Sequence, residues 1–553
     1  MTPHNEQHDY DHIVIGSGFG GSVSAMRLAE KGYRVAVMEQ GRRWTPDNLP
    51  ESSWRARRYV WRPKLGLYGF FNMRFFKHVV VLQGNAVGGG SITYAQTLWQ
   101  PKDVVWQQGE WAGLADWPRL MPQHYATAKR MLGATQNQRV AEADERLKVM
   151  AQAAGVADSY YVTDVGVFFG DADKPQGASY PDPYFEGKGP ARNSCIGCGG
   201  CMMGCRFNAK NTLDKNYLYF AEQLGATVHA ETEVTAVIPL DGATGATGYR
   251  VHTRSTIGWR KIEKSFTTQG IVFAGGALGT QALLFQMKQA GHLPHISDML
   301  GHKVRTNAES LIGVRYIGAA NKNIDNSKGV AIGSGVFLNE HTHIEATRYP
   351  RGSDAMGALT TLMTHGRVGR GRVLRWLWLM LSQLVRHPIK TMQIILPFGF
   401  ARQTMILLCM QTMDGHLTMT YDRPWYSPFG KRLQTIGTPI PTYIPEANDF
   451  AQLGARVTGG TAVTSITEVL LNIPMTAHCL GGATMGRTAV EGVVNERLEV
   501  FGYQNMRICD GSVVSANLGV NPSLTITALA EYGMALVPHK TTLKVRQPDE
   551  RKL

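Results

Sequence analysis

Residues 13–21 read Ile-Val-Ile-Gly-Ser-Gly-Phe-Gly-Gly, an apolar run typical of a buried strand that ends in closely spaced glycines. A helical pattern and a second apolar run, 34–38, follow. This order predicts a βαβ unit with the spacing Gly16-x-Gly18-x-x-Gly21. The first glycine permits a tight turn, the second lets a pyrophosphate approach the backbone, and the third lets the helix pack on the strand. The stretch therefore predicts a dinucleotide-binding fold.

An acidic residue closes the predicted unit. Glu39 follows the second apolar run directly. A carboxylate at this place can accept hydrogen bonds from both hydroxyls of an adenosine ribose, so an unphosphorylated ribose is implied. The sequence therefore predicts FAD or NAD as the bound dinucleotide.

Four later stretches repeat the small-residue character of the first unit. They lie at 84–94, 271–280, 508–512 and 520–530. Small residues expose backbone N–H groups and carry little bulk, which suits main chain that passes a flat ring or a phosphate. We interpret these stretches as further contacts to the cofactor.

Two polar residues near the end of the chain are candidates for chemistry. Asn521-Pro522 precedes a helical pattern, so the Asn521 amide and the helix N-terminus can face an anionic part of the cofactor, such as a reduced flavin. His478 lies between small-residue runs, and we predict a catalytic histidine there. The alternative for His478 is a hydrogen-bonded core histidine.

Length and charge bound the class of protein. At 553 residues the chain exceeds one compact core, so we expect two intertwined domains. Lys and Arg outnumber Asp and Glu by 57 − 43 = 14, which favours an acidic partner, either nucleic acid or anionic lipid. The residues before Ile13 contain no basic region followed by an apolar stretch, so we expect a cytoplasmic protein.

Two segments combine aromatic or apolar side chains with arginine and lysine. They are 54–77 and 367–413, and the second contains the apolar runs 376–381 and 394–400. Neither run reaches the roughly 18 residues needed to span a bilayer, so we expect a peripheral, membrane-facing surface on the inner face of the membrane. The alternatives are a buried aromatic subdomain and a core helix. No base-reading module is visible, so nucleic acid is not expected.

Four of the seven cysteines lie within eleven residues, as Cys195-x-x-Cys198-x-x-Cys201-x-x-x-Cys205. Such dense thiols in a reducing compartment favour metal ligation over disulfides. Zinc normally takes two CxxC pairs separated by a longer loop, whereas this spacing is typical of iron–sulfur proteins. The fourth ligand is either Cys205 in an unusual turn or the distant Cys479. Zinc and reduced structural thiols are the alternatives to a [4Fe-4S] cluster.

With these motifs in place, the chain resembles the glucose–methanol–choline (GMC) oxidoreductases, and within them the bacterial cholesterol oxidases. The resemblance is carried by 16–21 with Glu39, 84–91, 274–280, 478–482, Asp510-Gly511 and Asn521-Pro522. It implies an FAD enzyme that takes a hydride from an alcohol carbon. In that family the histidine matching His478 orients the substrate hydroxyl, and the asparagine matching Asn521 tunes the reduced ring.

The resemblance also implies a base that moves a steroid double bond. Glu345 matches this base by the register of 345–352, and a carboxylate in an apolar pocket would have a raised pKa that suits the role. Two positions that should face the flavin depart from the family pattern: Cys479 replaces a proline and Tyr94 replaces an asparagine. These departures leave room for a different substrate or electron acceptor.

The expected fold is α/β (α+β), with a Rossmann-type FAD-binding domain and a discontinuous substrate-binding domain of antiparallel sheet plus helices. We expect FAD-binding segments at 1–110, 223–310 and 475–553, a helical and cysteine-cluster insertion at 111–222, and the substrate-binding domain at 311–474. The residues expected to contact the cofactor are Gly16, Gly18, Phe19, Gly20, Gly21, Glu39, Gly84, Gly88, Gly89, Gly90, Ser91, Val234, Ala274, Gly275, Asp510, Gly511, Asn521 and Pro522.

A flavin beside an iron–sulfur cluster predicts a dehydrogenase. The flavin would accept two electrons, and the cluster would pass them singly to a quinone, a ferredoxin-like carrier or O2. The expected substrate is an apolar alcohol, namely a 3-hydroxysteroid. Two alternatives stay open: a steroid isomerase or cholesterol oxidase that uses O2, with Glu345 as base, and an electron-transfer protein without alcohol oxidation.

Overall fold

The computed structural model describes residues 8–364, 370–424 and 430–540. Outside the described residues lie the first residues of the expected FAD-binding segment 1–110, namely 1–7, and the last residues of the segment 475–553, namely 541–553. Residues 367–369 of the expected membrane-facing segment also lie outside them.

The first sheet is the predicted Rossmann sheet. Its parallel strands run in the order Thr227–His229, Val35–Met38, Tyr10–Ile15, Glu263–Phe273 and Met506–Ile508. The long strand Glu263–Phe273 pairs antiparallel through its first half with Tyr249–Ser255, which pairs in turn with Thr232–Pro239. The central strands are buried on both faces, which explains why they read as continuous apolar runs.

Five helices cover this sheet and share its core: Phe19–Glu30, Trp117–Met131, Tyr217–Gln223, Gly276–Gln289 and Ser523–Ala535. The first of them begins directly at the glycine turn, four residues before the apolar pattern that marks it in the sequence. The earlier start places the helix N-terminus at the carboxyl end of Tyr10–Ile15, where a nucleotide binds in this fold.

The second sheet is antiparallel. Its strands follow the order Thr360–Leu362, Thr461–Ser465, Ser310–Arg315, Thr404–Gln411, Thr342–Thr347, Ile332–Phe337 and Tyr161–Val162. The helices Glu142–Ala153 and Pro445–Thr458 pack on one face of it. The fold class predicted from the sequence is therefore confirmed: a parallel nucleotide-binding sheet is combined with an antiparallel sheet and helices.

Smaller elements connect the two sheets. The paired strands are Trp61–Arg62 with Leu67–Tyr68, Phe71–Phe75 with Val80–Gly84 and Met475–Thr476, Thr135–Gln136 with Asp164–Val165, Ser179–Tyr180 with Arg192–Asn193, and Thr418–Asp422 with Arg432–Ile436. The remaining α-helices are Ala56–Tyr59, Arg370–Arg386, Pro388–Ile395 and Phe400–Gln403.

The basic and aromatic segment 54–77 mostly matches the buried alternative. Tyr59, Trp61 and Phe70 are buried, whereas Arg57 and nearby basic residues are exposed. The alternative of a core helix in 367–413 is wrong, because the helix Arg370–Arg386 exposes large apolar side chains. None of the helices in the described part of the chain is long and apolar enough to cross a membrane.

Candidate active site

The glycine turn after the first strand is shaped by close backbone contacts. Gly16 has φ +103°, and a Cβ there would lie 2.3 Å from the carbonyl oxygen of Ala274. A Cβ on Gly21 would lie 2.1 Å from the Gly16 carbonyl oxygen, and one on Gly20 would overlap the Cys509 carbonyl. At Gly18, by contrast, a Cβ would meet no atom within 4 Å. Three glycines are thus fixed by protein packing, whereas Gly18 faces open space.

The second glycine run packs directly on the first. A Cβ on Gly89 would lie 2.5 Å from the Cα of Gly18. The Gly88 N–H donates to the Ser17 hydroxyl at 3.0 Å, and the Ser91 hydroxyl donates to the Gly88 carbonyl at 2.7 Å. The two loops therefore form one wall, although they are some seventy residues apart in the sequence.

Glu39 lies at the end of its strand and is buried. Its Oε2 accepts hydrogen bonds from the backbone N–H and hydroxyl of Ser17, at 3.0 and 2.7 Å, and its Oε1 accepts from the Gly41 N–H at 2.8 Å. Burial raises the pKa of Glu39, although these hydrogen bonds oppose the shift. Each carboxylate oxygen has two lone pairs, so Oε1 keeps acceptor capacity for a ribose hydroxyl.

Asp510 joins the carboxyl end of the last parallel strand to a neighbouring helix. Its Oδ1 accepts from the N–H of Ser512 at 2.8 Å, and its Oδ2 accepts from the Thr280 hydroxyl at 2.5 Å. Burial raises the pKa of Asp510, and these bonds oppose the shift. The carboxylate holds the N-terminal turn of Gly276–Gln289 against the loop that follows Met506–Ile508.

All these loops surround one cavity of about 800 Å³. Most residues predicted to contact the cofactor line it: Gly16, Gly18, Phe19, Gly20, Glu39, Gly84, Gly89, Gly90, Val234, Ala274, Gly275, Asp510, Gly511, Asn521 and Pro522. The others, Gly21, Gly88 and Ser91, lie behind the wall, where they hold the two glycine loops together. The catalytic candidate His478 also lines the cavity.

His478 is positioned by an acid that the sequence analysis missed. Its Nδ1 hydrogen-bonds to the buried Oε1 of Glu309, whose Oε2 accepts from the Ala477 N–H at 3.0 Å. Because a carboxylate only accepts, the neutral imidazole carries its hydrogen on Nδ1, and Nε2 is an acceptor. No local motif marks Glu309, since 169 residues separate it from His478.

The loop before Glu309 is strained and tied to the far wall of the cavity. Asn307 and Ala308 both have positive φ, at +57° and +44°. The Asn307 amide donates to the Val520 carbonyl at 3.0 Å and accepts from the Gly519 N–H at 2.8 Å. Left-handed backbone at non-glycine residues is maintained only where surrounding contacts enforce it. Asn307 thus fixes the spacing between Glu309 and Asn521.

Asn521 connects the cavity to Glu345. The Asn521 Nδ2 donates to Glu345 Oε2 at 3.1 Å. The Asn521 Oδ1 and the Glu345 Oε1 are both buried without a hydrogen-bond partner. Burial raises the pKa of Glu345 to about 8; the bond from Asn521 opposes this shift, and the charge of Glu309 adds to it. Asn521 lines the cavity, and Glu345 lies next to it through this hydrogen bond.

The antiparallel sheet supplies an apolar wall. Along Thr404–Gln411 the side chains alternate, so that Leu407 and Cys409 pack towards the covering helices while Ile406 and Leu408 line the cavity. In the neighbouring strand Ile344 and Ala346 face the helices, which places Glu345 on the cavity side. The cavity therefore combines this apolar wall with polar residues such as Glu309, His478 and Asn521.

The four clustered cysteines line a second, smaller cavity. Backbone N–H groups donate to three of the sulfurs, from Gly197 to Cys195, from Ala331 to Cys201 and from Ala209 to Cys205, each at 3.4 Å. Cys205 has φ +71°, which is the unusual turn expected for it.

The suggestion that Cys479 completes the cysteine group is wrong. Cys479 lines the large cavity beside His478, whereas Cys205 shares the small cavity with the other three cysteines. In residues 8–364, 370–424 and 430–540, no group of three or more His, Cys, Asp or Glu side chains is arranged to hold a metal ion.

A buried lysine lies between the two cavities. The Lys210 ammonium donates to the carbonyls of Ile92, Tyr94 and Cys201 at 2.9, 3.0 and 2.7 Å. Burial lowers the pKa of Lys210 to about 7. Tyr94 lines the large cavity, and its hydroxyl donates to the Asn211 carbonyl at 2.9 Å, so this departure from the family pattern anchors the wall between the cavities.

The substitution Gly18→Ala tests the dinucleotide cradle. Because its Cβ would meet no protein atom, we expect a stably folded protein whose affinity for the cofactor falls roughly tenfold or more. Thermal unfolding of the apoprotein and titration with FAD measure the two properties. Gly371→Ala, in a helix remote from the glycine turn, is the control. Unchanged FAD affinity in Gly18→Ala would contradict the prediction that the cofactor binds against Gly18.

Comparisons with known proteins agree with this geometry. Two GMC oxidoreductase family models match residues 190–302 and 446–530, and an NAD(P)-binding Rossmann-like domain model matches 14–45. The chain is 52% identical over 546 residues to a cholesterol oxidase of Acinetobacter baumannii, covering 98% of this chain and 97% of that protein. It is 43% identical over 549 residues to a cholesterol oxidase of Mycobacterium tuberculosis strain H37Rv, covering 98% and 93%.

A solved structure shares the fold at low sequence identity. Pyridoxine 4-oxidase from Mesorbium loti superposes with a TM-score of 0.59 and 13% identity, covering 95% of this chain and 98% of that chain. The high identity to full-length relatives and the matches to both GMC models establish the family. The chain belongs to the GMC oxidoreductases and is an FAD-dependent enzyme that oxidises an alcohol.

Proposed function

We propose that this enzyme oxidises the hydroxyl group of a sterol, with His478 and Asn521 binding that hydroxyl. The observation that carries the proposal is that His478 and Asn521 line the same cavity as the apolar side chains of the antiparallel sheet. The similarity to two cholesterol oxidases supports the choice of a sterol.

The residues around the cavity suit FAD. Glu39 keeps acceptor capacity for the ribose, Gly18 leaves room for the pyrophosphate, and Pro522 starts the helix Ser523–Ala535 whose N-terminus faces the cavity. When bound, FAD accepts the hydride of the alcohol carbon. The unpartnered Oδ1 of Asn521 and the open Nε2 of His478 are the polar groups left for substrate and ring.

The proton of the substrate hydroxyl goes to His478. Its Nε2 accepts because Nδ1 holds the other hydrogen against Glu309, and the Glu309 carboxylate stabilises the imidazolium that results. Asn521 stays oriented through its bond to Glu345. Glu309 therefore acts as a positioning residue for His478.

Anaerobic mixing with cholesterol tests the reaction. We expect the flavin absorbance to bleach in the wild type and His478→Asn to slow bleaching by roughly 10²–10⁴-fold, because the base is lost. Glu309→Gln should lower kcat with KM and flavin content nearly unchanged, since only orientation and charge behind the base are altered. Glu263→Gln, at an exposed glutamate that does not line the cavity, is the matched control. A wild-type spectrum that does not bleach would refute sterol oxidation.

We also propose that Glu345 isomerises the double bond of the oxidised steroid. A base acts as its carboxylate, and the pKa of Glu345 is raised to about 8, so the isomerisation rate should rise as pH increases through about 8. Glu345→Gln should release the unconjugated ketone while flavin reduction continues. Chromatography of the products measures this; conjugated product from Glu345→Gln at the wild-type rate would exclude Glu345.

We further propose that Cys195, Cys198, Cys201 and Cys205 hold a [4Fe-4S] cluster. The four sulfurs line one small cavity of about 10 Å³, and the run Cys-x-x-Cys-x-x-Cys is typical of iron–sulfur proteins. The three N–H···S bonds support this, since such bonds accompany cluster ligands. Bound there, a cluster would pass single electrons onwards; O2 as direct acceptor is the competing proposal, supported by relatives named oxidases.

Iron and acid-labile sulfide analysis of anaerobically purified protein separates these two proposals. The cluster predicts about four of each per chain, loss of both in Cys201→Ser, and retention in Cys479→Ala, whose thiol lies in the other cavity. Electron paramagnetic resonance of the reduced protein identifies the cluster type. Wild-type protein without iron, which still consumes O2 with a sterol, would refute the cluster and support the oxidase.

A further inference from the structure

The helices Arg370–Arg386 and Pro388–Ile395 carry large apolar side chains on their outer surface. We call this surface the apolar face, and its residues are Leu374, Leu377, Trp378, Leu381, Leu384, Val385, Ile389, Met392, Ile395, Leu396 and Phe398. Trp378 is 68% exposed and Ile389 is 76% exposed. An exposed apolar surface of this extent marks an interaction site.

The apolar face points outwards because polar anchors hold the opposite side. The buried Arg372 forms an ion pair with Glu468 at 2.7 Å, and Trp376 donates its indole N–H to the Thr361 hydroxyl at 2.8 Å. Leu374, Trp378, Leu381 and Val385 follow the spacing of one helical stripe and remain outside. This orientation reverses that of an ordinary surface helix, whose apolar stripe is buried.

A buried arginine fixes the second helix. The Arg315 guanidinium donates to the carbonyls of Ile394, Leu396 and Phe398, at 2.9, 3.1 and 3.0 Å. These bonds satisfy carbonyls at the end of Pro388–Ile395 and hold its exposed tip in place. The apolar face is therefore a preformed surface.

The charged side chains exposed on these two helices are basic. Arg375, Arg386 and Lys390 are exposed beside it, and the sequence contains no acidic residue between Asp354 and Asp414. Trp54 stacks on Phe398 with ring centroids 6.4 Å apart, which joins the exposed Arg55, Arg57 and Arg58 region to the same surface. Apolar side chains framed by cations complement a bilayer with anionic headgroups.

The apolar face also lies just outside the large cavity. Val463 packs against Ile394 and lines the cavity, and Thr360, next to the anchor Thr361, lines it as well. We infer that the apolar face docks the enzyme on an anionic lipid surface, with the helices lying in the headgroup layer. The inference goes beyond the proposed activity, because lipid binding does not depend on which alcohol is oxidised.

Sedimentation of the holoenzyme with sterol-free vesicles tests the docking. We expect binding to mixed phosphatidylcholine–phosphatidylglycerol vesicles that weakens with salt, and much weaker binding to phosphatidylcholine alone. Trp378→Glu should reduce binding roughly tenfold or more, whereas Trp259→Glu, an equally drastic change at another exposed tryptophan, should not. Flavin content and thermal midpoint verify that both variants fold.

Two outcomes would overturn the inference. One is equal vesicle binding by Trp378→Glu and Trp259→Glu. The other is absence of vesicle binding together with a wild-type dimer that Trp378→Glu dissociates, which would assign the face to a second copy of this chain. Sterol-free vesicles keep the test separate from catalysis, so an inactive protein that binds would refute only the proposed reaction.

Discussion

The active site depends on a contact between two stretches of bare backbone. A Cβ added to Gly89 would lie 2.5 Å from the Cα of Gly18, so a side chain there would push the two loops apart. Gly16, Gly20 and Gly21 make comparably close contacts with neighbouring backbone. Such contacts leave no volume for side chains, so the wall offers N–H groups and space instead. The loop 16–21 thus packs against both 84–91 and 508–512, and all three loops contribute to the lining of one cavity.

Sequence reasoning succeeded where the signal is local. The turn at 16–21, the place of Glu39 at the end of its strand and the fold class follow from spacing within short windows. Glu309 was missed because its partner His478 lies 169 residues away, and nothing near it in the sequence marks it. Cys479 was misplaced for the same reason: cysteine spacing does not reveal which cavity a distant thiol enters.

Composition has a further limit. The apolar runs and basic residues of 367–413 could not distinguish a membrane-facing surface from a core helix, since both can have this pattern. The decision is made by Arg372 and Trp376, whose buried polar partners Glu468 and Thr361 belong to distant strands and turns. Polar anchoring, visible only in three dimensions, turns the apolar side towards the exterior.

Two acids of the site differ through their partners. Glu309 accepts from His478 and from the Ala477 N–H, so both of its oxygens are engaged. Glu345 accepts only from Asn521, and its Oε1 is buried without a partner, which is why burial dominates and raises its pKa. Carboxyl groups whose environments differ in this way can take different acid–base roles at one pH. Asn521 contacts Glu345 and lines the cavity, so it links this second acid to the cavity.

The two cavities are separated by a single layer of chain. Cys201 lines the small cavity while its neighbour Met202 lines the large one, and Lys210 binds carbonyls on both sides of this layer. A buried ammonium is costly unless its donors are satisfied, and here three carbonyls meet that requirement. The same cation would offset the negative charge of thiolates. Through these three bonds Lys210 ties the segment around Ile92 and Tyr94, at the large cavity, to Cys201 at the small one.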